Sequence, residues 1–205
     1  MSVMTEWGYT LPDVDAIPDI LTTDEFNTMT GGKFAGDARI PAAIKAACGA
    51  VRNYCGWHVS PALSCVVSSA ALYGNGSLKR VGADVLLQLP ARLVSGVTSV
   101  TIDGDAHTDY RIEPNGLIYL FDAPALTRKS EIEITYTAGT VSEVVKDLVA
   151  NNVTHSLSSS YGVTSESAGG MSITYNGGWV NADKASALTD VTKEALTSYR
   201  LQGVF

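Results

Sequence analysis

The chain reads as an α+β protein: helices at the N-terminus and after the sheet, packed with a mainly antiparallel β-sheet, and extended N- and C-terminal arms. Three observations lead there. From Glu131 to Tyr136 the sequence alternates, with Ile132, Ile134 and Tyr136 on one side and Glu131, Glu133 and Thr135 on the other, the period of a half-buried strand. After Ala138-Gly139 the period changes. Val141, Val145, Leu148, Val149, Val153 and Leu157 recur every three or four residues, one face of a helix about five turns long. Between Leu63 and Tyr136, short strand-like runs are separated by turn signals, and no strand–helix–strand alternation supports a doubly wound fold.

Taken in order, residues 1–20 form an acidic N-terminal arm. Gly8, Pro12 and Pro18 prevent a long helix, while alternating Trp7, Tyr9 and Leu11 make a short strand or a docking segment. Residues 21–161 form the α+β domain. Thr22 and Glu25 make a capping box that opens a short helix, and Gly31-Gly32 closes it. A longer helix runs from about Asp37 to Tyr54, with Pro41 in its first turn and Gly56 as its C-cap. Ile40, Ile44, Ala47, Val51 and Tyr54 line its apolar face.

Strand patterns follow at Ser64–Ser69, Ala71–Arg80 with an Asn75-Gly76 turn, Asp84–Leu89, Val97–Ile102, Tyr110–Glu113, Leu117–Phe121 and Glu131–Tyr136. Pro114-Asn115-Gly116 is the strongest hairpin signal. Thr140 and Glu143 read as the capping box of the helix after the sheet. Residues 162–205 form an extended arm. It carries a short strand, Met171, Ser172, Ile173, Thr174 and Tyr175, and a last helix near Thr189–Tyr199 with Val191, Ala195, Leu196 and Tyr199 on one side. That strand has to pair. It closes onto its own sheet or, the preferred expectation, adds to a neighbouring chain.

Composition narrows the function. The net charge of −7 argues against a surface that grips nucleic acid by neutralising phosphates. Residues 1–32 hold Glu6, Asp13, Asp15, Asp19, Asp24 and Glu25 but no Lys or Arg. No secretory signal and no membrane-length apolar run are read. Cys48, Cys55 and Cys65, odd in number and without framework spacing, read as reduced, core-packed thiols in a cytoplasmic setting.

No catalytic constellation assembles, so no enzyme activity, metal or cofactor is expected. The nucleophile elbow, the zinc-protease helix, the P-loop and the dinucleotide fingerprint are all missing. His155 reads as a surface or interface residue, and His107 sits in a turn. Asp103, Asp105 and Asp109 around that turn hint at oxygen ligation but lack the later bidentate Glu of a calcium loop.

Four stretches carry a family resemblance. LTTDEF followed by DARIPAAIKAACGAVRNYCGW is similar to paired helices ending in an aromatic-glycine turn. VLLQLPARLVSGVTSVTIDG is similar to a strand, a Leu-Pro break and a second strand ending in Asp-Gly. DYRIEPNGLIYL and IEITYTAGT resemble a hairpin and a Tyr-Thr-Ala-Gly strand end that leads into a helix. ESAGGMSITY and ALTSYR resemble a late Glu-x-x-Gly-x-x-Ser-x-x-Tyr segment and a terminal Leu-x-x-Tyr-Arg. Together they resemble the head–tail connector (adaptor) family of long-tailed bacteriophages, over about Leu21–Arg200. The long acidic leader, the Ala71–Gly82 segment and Gly170, where an acid is common, depart from it.

The resemblance implies a virion protein of the neck, made in the host cytoplasm and without catalysis. Its subunits would form a ring, a dodecamer, that binds the portal protein on one side and a stopper or tail-completion protein on the other. Double-stranded DNA would pass through the lumen without specific binding, and no membrane is involved. Tyr199, Arg200, Leu201, Val204 and Phe205 are the implied portal contacts, against the alternative of a tail folded onto its own domain. Two other readings stand beside this one. The first is a different phage neck, tail-completion or baseplate module. The second is a carbohydrate-binding β-rich module, which would need Trp7, Trp57 and Trp179 to converge on one surface.

Overall fold

The computed structural model describes residues 2–69, 72, 78–113, 115–124, 126, 129–158, 165–168, 171–174 and 188–201. They fall into two compact units through which the chain passes more than once. One comprises Met1–Pro18, Cys55–Val141 and Thr197–Phe205, the other Asp19–Tyr54 and Ser142–Leu196.

The first unit holds two antiparallel sheets. In the larger, strands run in the order β1 (Val3–Met4), β2 (Tyr9–Leu11), β3 (Leu63–Ser68), β10 (Ile132–Ala138), β6 (Val94–Ile102), β7 (Asp105–Ala106). The centre of this sheet is β10, paired with β3 from Glu133↔Ser68 to Ala138↔Leu63 and with β6 from Ile132↔Ile102 to Ala138↔Val94. Its period of two survives intact: Ile132, Ile134, Tyr136 and Ala138 are buried, and Glu131 and Glu133 are exposed. The register slips at Thr135/Tyr136 and Thr137/Ala138, bulges that lengthen β6 to start at Val94, three residues before the alternation suggests.

The N-terminal segment is less irregular than its glycine and prolines imply. β1 and β2 make a hairpin, Val3↔Leu11 and Met4↔Thr10, and β2 pairs with the sheet at Tyr9↔Val67. Burying Tyr9 and Leu11 holds it there.

The smaller sheet has the order β4 (Leu78–Val81), β5 (Asp84–Gln88), β9 (Leu117–Leu120), β8 (Tyr110–Ile112). Val85, Leu87, Ile118 and Leu120 are its buried face. Asn75-Gly76 lies outside the described residues. Every strand pairing among the described residues is antiparallel.

Among the described residues the second unit carries four helices. The first, α1 (Thr23–Met29), has the expected capping box, in which Thr22 Oγ1 accepts from Glu25 N–H and Glu25 accepts from Thr22 N–H. Gly31 and Gly32, both at positive φ, end it. Next comes α2 (Ile40–Cys55), starting at Ile40 and not Asp37. The Asp37 carboxylate lies outside the helix and accepts from Arg39 N–H at 2.9 Å, and Pro41 fits the first turn. Ile40, Ile44, Ala47 and Val51 are buried as expected, joined by Cys48, Arg52 and Cys55 in place of the half-exposed Tyr54.

The helix after the sheet, α3 (Glu143–Ser158), begins later than the capping-box reading of Thr140 requires. Thr140 N–H donates to Val59 O at 2.9 Å, and Ser142 O accepts the first helical bonds, from Val145 and Lys146. Val141 is therefore outside the helix and 69% exposed, while Val145, Val149, Val153 and Leu157 form the buried stripe.

The last helix, α4 (Asp190–Leu196), is capped by Thr189 Oγ1, which accepts from Thr192 N–H, and runs into a 3-10 turn at Thr197–Tyr199. Of its expected inward face, Leu196 is buried, and the rest differs. Leu188, Thr192 and Leu196, spaced by four, are buried, whereas Val191 is 76% exposed and Ala195 is exposed. The MSITY strand also has a partner other than the two expected. Its described part, β12 (Met171–Thr174), pairs with β11 (Ser165–Ala168) as a two-stranded hairpin from Ser165↔Thr174 to Ala168↔Met171.

Candidate functional site: the C-terminal anchor

Local sequence makes the turn after α2, Cys55-Gly56-Trp57-His58-Val59-Ser60-Pro61, a meeting point for the first unit. Gly56, at φ 78, ends the helix as expected. Trp57, His58 and Val59 follow, each fully buried. Val59 stands at φ 61, an unfavourable conformation for a β-branched residue, and the bond from Thr140 N–H to its carbonyl helps hold it.

The turn reaches three distant parts of the chain. His58 Nε2 lies 3.0 Å from Ala138 O, and its Nδ1 lies 2.7 Å from Tyr9 Oη. A carbonyl only accepts, so the network assigns the proton to Nε2 and makes Tyr9 O–H the donor to Nδ1. Tyr9 Oη in turn accepts from His58 N–H at 3.1 Å. One imidazole thus ties the N-terminal hairpin to the end of β10. Where β10 leaves the sheet, Gly139 sits at φ +116 against Pro61 and Ala62; a Cβ there would meet the Pro61 carbonyl oxygen and lie 2.8 Å from Ala62 Cα. The Tyr-Thr-Ala-Gly strand end has that steric basis.

The third part is the C-terminal segment. Trp57 Nε1–H donates to Tyr199 O at 2.6 Å, and Leu201 N–H donates to Cys55 O at 2.8 Å. Arg92 Nη1 donates to Arg200 O at 3.0 Å. Three consecutive residues, Tyr199, Arg200 and Leu201, are therefore held through their main chain. The Arg200 side chain is exposed, and Tyr199 and Leu201 are partly exposed. The segment up to Leu201 is folded onto its own unit, the alternative raised for it, with side chains still at the surface. Val204 and Phe205 lie outside the described residues, as does Tyr175; of Met171, Ser172, Ile173 and Thr174 the hairpin pairing is what is described.

Sequence reasoning found the aromatic-glycine turn and the C-terminal residues but not their connection. It also missed Arg92, Tyr9 and His58 as anchoring groups. The available signal was chemical: a Trp, a His and a Pro crowded behind a helix-ending Gly, where each polar ring atom must find a partner once buried.

The other candidate chemistry does not come together. Asp103 Oδ1 accepts from Glu131 N–H at 2.7 Å, and His107 Nε2 contacts Asp109 O at 3.0 Å, so this loop's polar groups help close turns. Among the described residues no group of three or more His, Cys, Asp or Glu is placed to hold a metal ion. The three cysteines are free and buried. Burial raises the Cys48 thiol and pushes Cys55 and Cys65 up to about 12, far from thiolate chemistry at neutral pH. Trp57 is fully buried, Trp7 stacks on Tyr9 at 6.1 Å, and Trp179 lies outside the described residues. Trp57 is thus unavailable to a sugar-stacking platform. No helix among the described residues is long and apolar enough to cross a membrane.

No curated protein matches the chain. The head completion protein family model, by contrast, matches residues 19–198, from the residue before the buried Ile20-Leu21 pair to the 3-10 turn of the C-terminal anchor. With the whole second unit and most of the first inside that match, the chain belongs to the head completion protein family, structural components of the bacteriophage virion that serve in joining head to tail.

Proposed function

We propose that this protein is the subunit of a ring, a dodecamer, that docks under the portal protein, receives a stopper or tail-completion protein on its other side, and forms part of the DNA channel. The observation that carries this reading is the main-chain anchoring of Tyr199–Leu201. A segment already fixed by its backbone is ordered before it meets a partner, which lowers the ordering cost of binding. Tyr199, Arg200 and Leu201, with Val204 and Phe205 beyond them, are the portal-facing residues. The net charge of −7 suits a channel wall that repels phosphate and lets DNA slide. The hairpin containing Met171–Thr174, with Tyr175 after it, is the arm through which neighbouring subunits interlock. A two-stranded hairpin is marginal alone in water and gains from adding to a further strand.

Arg200→Glu tests the assignment, because the three anchoring bonds are to main-chain atoms and the substitution leaves them in place. The variant is expected to keep its fold by circular dichroism and to lose co-migration with the cognate portal protein in size-exclusion chromatography. Unchanged co-migration by Arg200→Glu and also by Leu201→Ser would remove this segment from the portal contact.

A further inference from the structure

Rings built from one kind of subunit use head-to-tail contacts, so each copy must carry two different surfaces that fit one another. The described residues hold two surfaces of opposite charge, each with an exposed apolar side chain. One is β4, the terminal strand of the four-stranded sheet. Lys79 and Arg80 on it are exposed, Arg80 Nε donates to Gly82 O at 3.1 Å, and Val81 is 57% exposed. Cations on an edge strand ordinarily guard it from unwanted pairing; an exposed valine beside them does not serve that end.

The other surface lies in the second unit. A groove of about 280 Å³ is lined by Asp24, Glu25, Thr28 and Met29 of α1 and by Glu143 and Lys146 of α3. Lys146 Nζ is shared between Glu25 at 2.7 Å and Glu143 at 3.5 Å, and with Asp24 the lining carries three carboxylates to one ammonium, so negative charge is left over. Asp24 and Glu143 are exposed, and Met29 is 40% exposed.

We propose that Lys79–Val81 of one copy seats in the α1–α3 groove of the next and forms the lateral contact of the ring. The contact rests on the ring reading above and gives it a chemistry: two cations meet the exposed carboxylates of Asp24 and Glu143, and Val81 covers Met29. A guanidinium is suited to a carboxylate at such a site, because its fork can make two charge-assisted hydrogen bonds. A second copy of this chain is the occupant because the same sequence supplies both halves of the complement.

Charge reversal tests it by sedimentation velocity, with folding checked by circular dichroism. Lys79→Glu with Arg80→Glu, and separately Asp24→Lys with Glu143→Lys, are each expected to weaken self-association at least about tenfold, the scale of close interfacial charge pairs. Mixing the two variants is expected to restore assembly, since every junction is then complementary again. Should the groove variant not fold, the β4 variant alone decides. Wild-type-like assembly by either folded variant, or a mixture that stays dissociated, overturns the contact while leaving the ring standing. Wild-type protein that never self-associates, alone or on the portal, overturns the ring reading and this contact with it.

Discussion

Replacing Gly139 by alanine should be among the most damaging single-methyl changes in this protein. Gly139 stands at φ +116, where an L side chain is strained by about 1–2 kcal/mol. The added Cβ would meet the Pro61 carbonyl oxygen and lie 2.8 Å from Ala62 Cα and 2.9 Å from Pro61 C. All three are main-chain atoms, so no side chain can rotate away, and separating the segments adds overpacking strain of about 1–3 kcal/mol. The displacement also breaks Thr140 N–H to Val59 O, for about 1 kcal/mol. The total is about 4 kcal/mol, a large share of a domain's usual stability. In urea, with a slope of about 2 kcal/mol per molar, the midpoint should fall by about 2 M with the slope unchanged. Gly49→Ala is the control: it lies inside α2 with no atom within 4 Å of its built Cβ, and should stabilise by about 0.5–1 kcal/mol. A loss below about 1 kcal/mol for Gly139→Ala would refute the close-approach argument.

Trp57→Phe removes the donor to Tyr199 O, and amide exchange at Leu201 should speed up about tenfold, the equivalent of one hydrogen bond; unchanged exchange would mean that the indole does not hold the segment. Tyr9→Phe removes the hydroxyl that donates to His58 Nδ1 and should cost about 1–3 kcal/mol in the same urea assay. Acid should weaken the second unit. The Lys146 hydrogen bond, then those from Thr22, hold the Glu25 carboxyl at about 2, below its usual 4.5. The folded state therefore binds fewer protons than the unfolded one, so this contribution is complete above about pH 4.5 and disappears as pH falls through about 2. Glu25 is 40% exposed, so solvent screening limits the effect to about 1 kcal/mol or less. Lys146→Met should flatten that part of the acid titration, monitored by circular dichroism.

Elements whose burial follows one uninterrupted period were legible. β10 and the middle of α2 bury the side chains that their spacing selects, and so does the stripe of α3 apart from exposed Val141 and half-buried Leu148. The misses occur where tertiary hydrogen bonds outweigh local signals. Thr140 has the sequence of a cap, but its N–H is taken by Val59, so α3 starts at Glu143. Val191 looks like a core residue, yet it is Thr192, midway between Leu188 and Leu196, that faces inward. In the N-terminal hairpin, β2 showed in the alternation of Trp7, Tyr9 and Leu11, but its partner β1 is two residues long, too short for alternation to register. The C-terminal site was partly legible. Its residues could be named from the resemblance, but the Trp57 and Arg92 side chains and the Cys55 carbonyl all meet its main chain, across 108 to 146 positions, and a segment held by its main chain shows little trace of that in its own side-chain pattern.

The central claim, a ring that seats on a portal, is tested most directly by the mass of the purified protein measured alone and with its cognate portal protein by native mass spectrometry. The predicted result is self-association or assembly on the portal, with twelve copies of the 21.6 kDa chain in the complete ring. A protein that stays monomeric and leaves the portal mass unchanged under assembly conditions would contradict it.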